Sequence, residues 1–250
     1  MRALLLSLLL CSGCWDFASL SNRLGDLAGS KDLSGASQDS STAGDGGNTG
    51  CAGFLCADFE TPLLSPLSLT AGIGDSAIVV STQAHGNTHS LQVMTEGGTS
   101  NQYAYLLLQS SPDAPIPSPL YISFWLKANM SVSANTLFVN VNPTMGATVA
   151  SIGVGDDGDW ELVVPLSPET AIPVEGSGWT CATVAVTSTK VTLTVGGAMS
   201  TQPISVNGIS GVSIGIARGN NCSADMGGTC PTQLYIDDVV FNNSPLSCAP

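Results

Sequence analysis

The chain has 250 residues, enough for one large domain with a substantial core, and only 10 % of them are charged. Asp and Glu outnumber Lys and Arg 19 to 6, a net charge of −13. A nucleic-acid partner is excluded on this ground: a polyanion is repelled, and no basic stripe offsets the repulsion. The abundance of glycine (28 residues), with Ser and Thr, favours strands and turns over helices.

The first element is an address. In "MRALLLSLLLCSGC" a single positive charge, Arg2, precedes an apolar run from Ala3 to Leu10. The run is far shorter than the ~20 residues that a membrane span needs, so residues 1–13 read as a secretory signal. Ser12 and Gly13 lead into Cys14, and this ending resembles a bacterial lipobox, although Cys11 stands where an aliphatic residue is usual. The resemblance implies that Cys14 carries lipid and that the protein is anchored, extracytoplasmically, to a membrane of the bacterial cell envelope. Residues 14–50 follow as a tether rich in Ser, Gly, Asp and Thr, with too little apolar surface to fold. A flexible chain of that length spans roughly 30 Å.

The pattern changes at Cys51. Short runs of Val, Ile, Leu, Phe and Tyr alternate with turn clusters, which predicts strands over Leu55–Glu60, Ala77–Thr82, His89–Val93, Tyr103–Leu108, Tyr121–Lys127 and Thr136–Val141. Further strands are expected over Thr148–Val154, Trp160–Pro165, Thr180–Thr187, Lys190–Val195, Gly211–Ala217 and Gln233–Phe241. "GDDGD" (155–159) and "TSTK" (187–190) are hairpin signals. So many short strands at regular spacing predict an all-β, two-sheet sandwich over 51–250.

Six cysteines lie in this region: Cys51, Cys56, Cys181, Cys222, Cys230 and Cys248. An even number in an exported domain favours disulfides, and six allow 15 pairings. "CSADMGGTC" (222–230) suits a local bridge between Cys222 and Cys230.

In order along the chain, "FLCADFE", "HSLQV", "ISFWLKA", "GWTCATVAV", "VTLTVGG" and "LYIDDVVF" resemble the strands of bacterial concanavalin A-like, or laminin G-like, jelly-roll domains. They are also similar to the galactose-binding-like jelly roll of many carbohydrate-binding modules, which begin with a "DFE" strand and end with "YIDDV". Either resemblance implies an antiparallel jelly-roll sandwich whose first and last strands are neighbours, with carbohydrate or another cell-surface polymer as the ligand class. On that arrangement Cys51 and Cys248 meet at one end, leaving Cys56 to Cys181.

Hydrolases of the concanavalin fold carry E-x-D-x-x-E on one strand, which sets an acid and a nucleophile about 5 Å apart. Here "DDGDWE" (156–161) comes nearest and reads as a turn. Lyases of the fold need Arg, His and Tyr together, and only Arg23, in the tether, and Arg218 remain past the signal. No nucleophile elbow, P-loop or dinucleotide fingerprint is present, so no catalysis is expected. His85 and His89 in "HGNTH" have a zinc-helix spacing but sit in loop sequence without a metalloprotease glutamate.

Binding features are more specific. Alternation in "SFWLK" puts Phe124 and Leu126 on one face, and Ser123, Trp125 and Lys127 on the other. In "LFVNVN" Asn140 and Asn142 share a face. Trp125 and Lys127 with Asn140 or Asn142 would suit a glycan, which stacks on an aromatic ring and bonds to amides. Trp160 and Trp179 read as structural aromatics. In "LYIDDVVF" period two puts Asp238 with Leu234, Ile236 and Val240, and Asp237 with Tyr235, Val239 and Phe241. One acid is then buried on either choice of core face and must be paired, hydrogen-bonded or neutralised. Two solutions fit. One is hydrogen bonding with a raised pKa. The other, implied by the carbohydrate-binding-module resemblance, is a structural calcium held among Asp58, Glu60, Asp237 and Asp238.

Overall fold

In a computed structural model the chain is described over residues 53–96, 102–129, 132, 136–144, 150–164, 170–174, 178–218 and 232–248. The signal, Cys14, the tether, Cys51, Cys222 and Cys230 lie outside the described residues. The described residues form strands only. In chain order these are β1 (Leu55–Ala57), β2 (Leu67–Ala71), β3 (Ser76–Val80), β4 (Ser90–Thr95), β5 (Ala104–Gln109), β6 (Leu120–Ala128) and β7 (Leu137–Pro143). They continue as β8 (Ala150–Val154), β9 (Trp160–Val164), β10 (Thr180–Val186), β11 (Lys190–Val195), β12 (Ala198–Pro203), β13 (Ile209–Arg218) and β14 (Thr232–Asn242).

The strands form two antiparallel sheets. Sheet A runs β12-β11-β10-β6-β14-β4-β3, with β1 also paired to β14. Sheet B runs β2-β5-β13-β7-β8-β9. Every strand expected from the sequence is present. The two that hydrophobic patterning did not announce, β2 and β12, are edge strands of their sheets, and an edge strand needs no strong apolar face. Both hairpins form where expected: Gly155 N–H donates to the Asp159 carbonyl, and Thr187 N–H to that of Lys190.

The core lies between the sheets and follows period two. In β6, Leu120, Ile122, Phe124 and Leu126 are buried in it, as are Ala182, Val184 and Val186 of β10. Trp160 of sheet B crosses the interior, 6.3 Å from Phe124 of sheet A and 5.2 Å from Phe138 by ring centroids. It is the structural aromatic that its sequence context suggests.

The first and last strands are antiparallel neighbours, with Leu55 opposite Phe241 and Ala57 opposite Val239. β1 is shorter than Leu55–Glu60 because the chain turns at Asp58. Its Oδ1 accepts the Glu60 N–H at 3.1 Å, and Phe59 takes a left-handed φ of 59°.

The cysteine pairing differs from expectation. Cys181 is bonded to Cys248, with Cα atoms 6.0 Å apart, and Cys56 is in a disulfide of its own. Neither Cys51–Cys248 nor Cys56–Cys181 forms. The cause lies after β14. Asn242 stands opposite Tyr121, which stands opposite Ala185. Reaching Cys181, four residues back along β10, requires the terminal segment to double back rather than run on past β1.

Candidate functional site

The outward face of sheet A carries the chemistry. On β6, Trp125 and Lys127 point away from the core, as alternation predicts. Trp125 is opposite Cys181 on one side and Asp237 on the other. Asn140 and Asn142 do not join them. They lie on the outward face of the other sheet, where the side-chain Oδ1 of Asn140 accepts the Ser151 hydroxyl at 2.6 Å. Alternation within a strand assigns side chains to a face of its own sheet. It does not say which sheet, so the expected Trp–Asn site is not assembled.

Beside Trp125 is a cleft of about 670 Å³, walled by Trp179, Thr183 and Thr194 and by the terminal stretch Leu246, Ser247 and Cys248. Among the described residues no ionisable side chain lines it, since both of its cysteines are in the disulfide. Trp179, expected to be structural, is instead a wall of this cleft.

The paired aspartates explain how the other side of Trp125 is built. Asp238 has a left-handed φ of 49°, and the β14–β6 register slips between Asp237 and Val240. This is a β-bulge, in which one extra residue shifts the phase of the strand. Leu234 and Ile236 before it and Val239 and Phe241 after it all reach the core. The uninterrupted period-two reading of "LYIDDVVF" is therefore wrong. Without the bulge, one apolar half of the strand would face away from the core.

Asp237 is fully buried among the polar groups of this face. Its Oδ2 accepts the His85 N–H at 2.8 Å and its Oδ1 the Asp238 N–H at 2.9 Å. Desolvation by burial dominates and raises its pKa from 3.8 to about 7, the two N–H donors opposing and the charges of Asp238 and Glu60 adding to the rise. His85 Nδ1 lies 3.0 Å from Asp238 Oδ2, and its ring stacks on Trp125 at 3.7 Å with an 18° tilt. Sequence reasoning passed over His85. Its only signal was the match between a histidine pair and a pair of acids without basic partners.

Glu60 serves the same segment. It accepts from the Thr88 hydroxyl and N–H at 2.6 and 2.8 Å, and from the His89 N–H at 2.6 Å, with His89 Nδ1 at 2.9 Å. The bonds from Thr88, then His89, lower its pKa from 4.5 to about 2. Of the four acids considered for calcium, Glu60 and Asp237 have both oxygens engaged by N–H or O–H donors, Asp58 has one so engaged, and Asp238 meets the His85 ring. Among the described residues no three or more His, Cys, Asp or Glu side chains are placed to hold a metal ion. Asp58, Glu60, Asp237 and Asp238 are not grouped around a common point as the described residues stand, and Asp237 is hydrogen-bonded as the first solution expects.

No protein-family model matches the sequence, and no curated protein is significantly similar to it. By fold the chain is similar to "Cellulose induced protein, Cip1", with a TM-score of 0.60 and 14 % identity over 78 % of this chain and 100 % of that one. It is also similar to an endo-β-1,4-glucuronan lyase from the fungus Trichoderma reesei, with a TM-score of 0.51 and 13 % identity over 68 % and 87 % of the two chains. At such identities the likeness shows the fold alone: the described domain is a jelly-roll β-sandwich.

Proposed function

We propose that the protein is a glycan-binding module, held at the bacterial cell envelope by lipid on Cys14, that works without catalysis. The observation that carries this reading is the cleft beside Trp125. A sugar ring has an apolar C–H face and a rim of hydroxyls. Trp125 and Trp179 supply flat apolar surface, and Thr183 and Thr194 supply hydroxyl partners. A lining that is uncharged among the described residues, in a chain of net charge −13, favours a neutral glycan over a polyuronate. The jelly-roll neighbours, one induced by cellulose and one acting on glucuronan by their names, agree with a glycan-related role.

A glycan array with the purified protein is the test. Stacking on Trp125 removes on the order of 60 Å² of apolar surface from water, worth ~1.5 kcal/mol. Trp125→Ala is therefore expected to weaken binding roughly tenfold. Binding unchanged in that variant would place the site elsewhere, and an array without any bound glycan would leave a structural or adhesive surface protein. For the anchor, Cys14→Ser is expected to release the protein from the membrane fraction; a variant that stays membrane-bound would refute lipidation there.

One observation favours a second reading. Tyr235 of β14, its hydroxyl accepting the Gln92 amide at 3.2 Å, lies opposite Lys127 on the face that also carries His85. These are residue types that β-elimination from a uronate uses: a cation for the carboxylate and Tyr or His for proton transfer. Unsaturated products from a polyuronate panel would establish this reading and overturn the non-catalytic one.

A further inference from the structure

Trp125 has two ring faces, and His85 covers one of them. The imidazole belongs to residues 81–89, which join β3 to β4 and are tied down at several points. The Gln83 carbonyl accepts the Ser90 hydroxyl. Gln83 Oε1 accepts Lys127 Nζ at 2.7 Å. The His85 N–H goes to Asp237, its Nδ1 meets Asp238, and Thr88 and His89 bind Glu60. The ring that results lies flat on Trp125 and edge-on to Trp179, with centroids 3.7 and 5.8 Å away.

We propose that His85 is a positioning residue for the cleft: it fixes the Trp125 ring so that the free part of the indole faces the ligand, and the Asp237–Asp238 bulge fixes His85. The inference rests on the glycan reading above and adds a residue outside the cleft to it. An outward Trp on a sheet has several open rotamers, and ordering one of them on binding costs affinity. A stacked imidazole whose ring meets one carboxylate and whose backbone N–H is held by another removes that cost beforehand. The same geometry accounts for two acids in a strand that has only one core face. Asp237 holds the backbone of His85, and Asp238 holds its ring.

The experiment uses the full chain in two measurements. In the first, time-resolved tryptophan emission anisotropy is recorded without glycan, since it reads how freely an indole rotates during its excited state. His85→Ala is expected to gain a fast depolarising component that the wild type lacks, and adding Trp125→Phe to that variant is expected to remove it. In the second, affinity is measured for the glycan that the array selects. His85→Ala is expected to bind roughly tenfold more weakly, and His85→Phe, which keeps a ring on the indole, to recover most of the loss. Anisotropy unchanged in His85→Ala, or wild-type affinity in that variant while Trp125→Ala is impaired, overturns the positioning role and leaves the glycan reading intact. A wild type that binds no glycan overturns both.

Discussion

The protein is expected to lose stability as pH rises from about 4 to about 7, by an amount that Asp237 largely sets. Its carboxyl is buried and is raised from 3.8 to about 7, first by desolvation and then by the charges of Asp238 and Glu60. The sign follows from linkage. Between the two values the folded state keeps a proton that the unfolded chain has released, so stability falls as pH rises. The Asp237 contribution is fully present below 3.8, and its loss is complete once pH passes about 7. That difference corresponds to ~4 kcal/mol, a large part of the 5–15 kcal/mol that holds a typical domain together. Self-repulsion in a chain of net charge −13 acts in the same direction. Glu60 acts oppositely: its stabilisation is present above 4.5 and fades as pH falls through about 2. Urea midpoints should therefore peak near about pH 4 and decline toward neutrality. Asp237→Asn should flatten the decline. It should also be less stable than wild type in acid, because one amide oxygen cannot serve the N–H groups of both His85 and Asp238; an unmet buried donor costs about 1–3 kcal/mol. The two curves converge or cross above neutrality. A wild-type profile that is level between about pH 4 and about pH 7 would refute this account of Asp237.

Asp237 also marks the limit of what the sequence discloses. Interior strands of sheet A were readable because burial on one face imposes period two. "ISFWLKA" separates Phe124 and Leu126 from Trp125 and Lys127 with no other information. The same rule failed in "LYIDDVVF", since a bulge inserts a residue that no periodicity announces. The oddity itself was visible: two acids in an apolar strand, with few bases anywhere in the chain. Its resolution was not, because His85 comes from a loop more than 150 residues earlier. The edge strands β2 and β12 were hidden for the opposite reason, a weak demand on their sequence. Which sheet receives Asn140 and which receives Trp125 is set by topology. So is the partner of Cys181, which depends on the chain's doubling back after Asn242.

That doubled-back segment carries the other large effect. Replacing Cys181 and Cys248 together by serine is expected to cost about 4 kcal/mol and to impair the cleft with it. The crosslink joins residues separated by 67 positions. Closing a loop of that length in the unfolded chain accounts for roughly 4 kcal/mol by loop entropy. For a domain of about 200 residues this lowers Tm by roughly 8–16 °C. The functional consequence is separate from the thermal one. Leu246, Ser247 and Cys248 form one wall of the cleft beside Trp125, and the disulfide is the covalent tie that holds this wall to β10. Among the described residues, no backbone–backbone hydrogen bond outside the strands involves 243–248. Without the crosslink the wall should detach well below the temperature at which the sandwich unfolds. Glycan affinity should then fall at a temperature where circular dichroism still reports intact sheet. Reduction of the wild type also opens the disulfide of Cys56, so its loss of stability should be at least as large as that of the double variant, and reoxidation should restore it. Affinity that tracks unfolding in the double variant, with no loss while the fold persists, would show that the disulfide stabilises the domain without shaping its cleft. A Tm within about 2 °C of wild type would contradict the loop-entropy argument, since ~4 kcal/mol must appear as a larger shift.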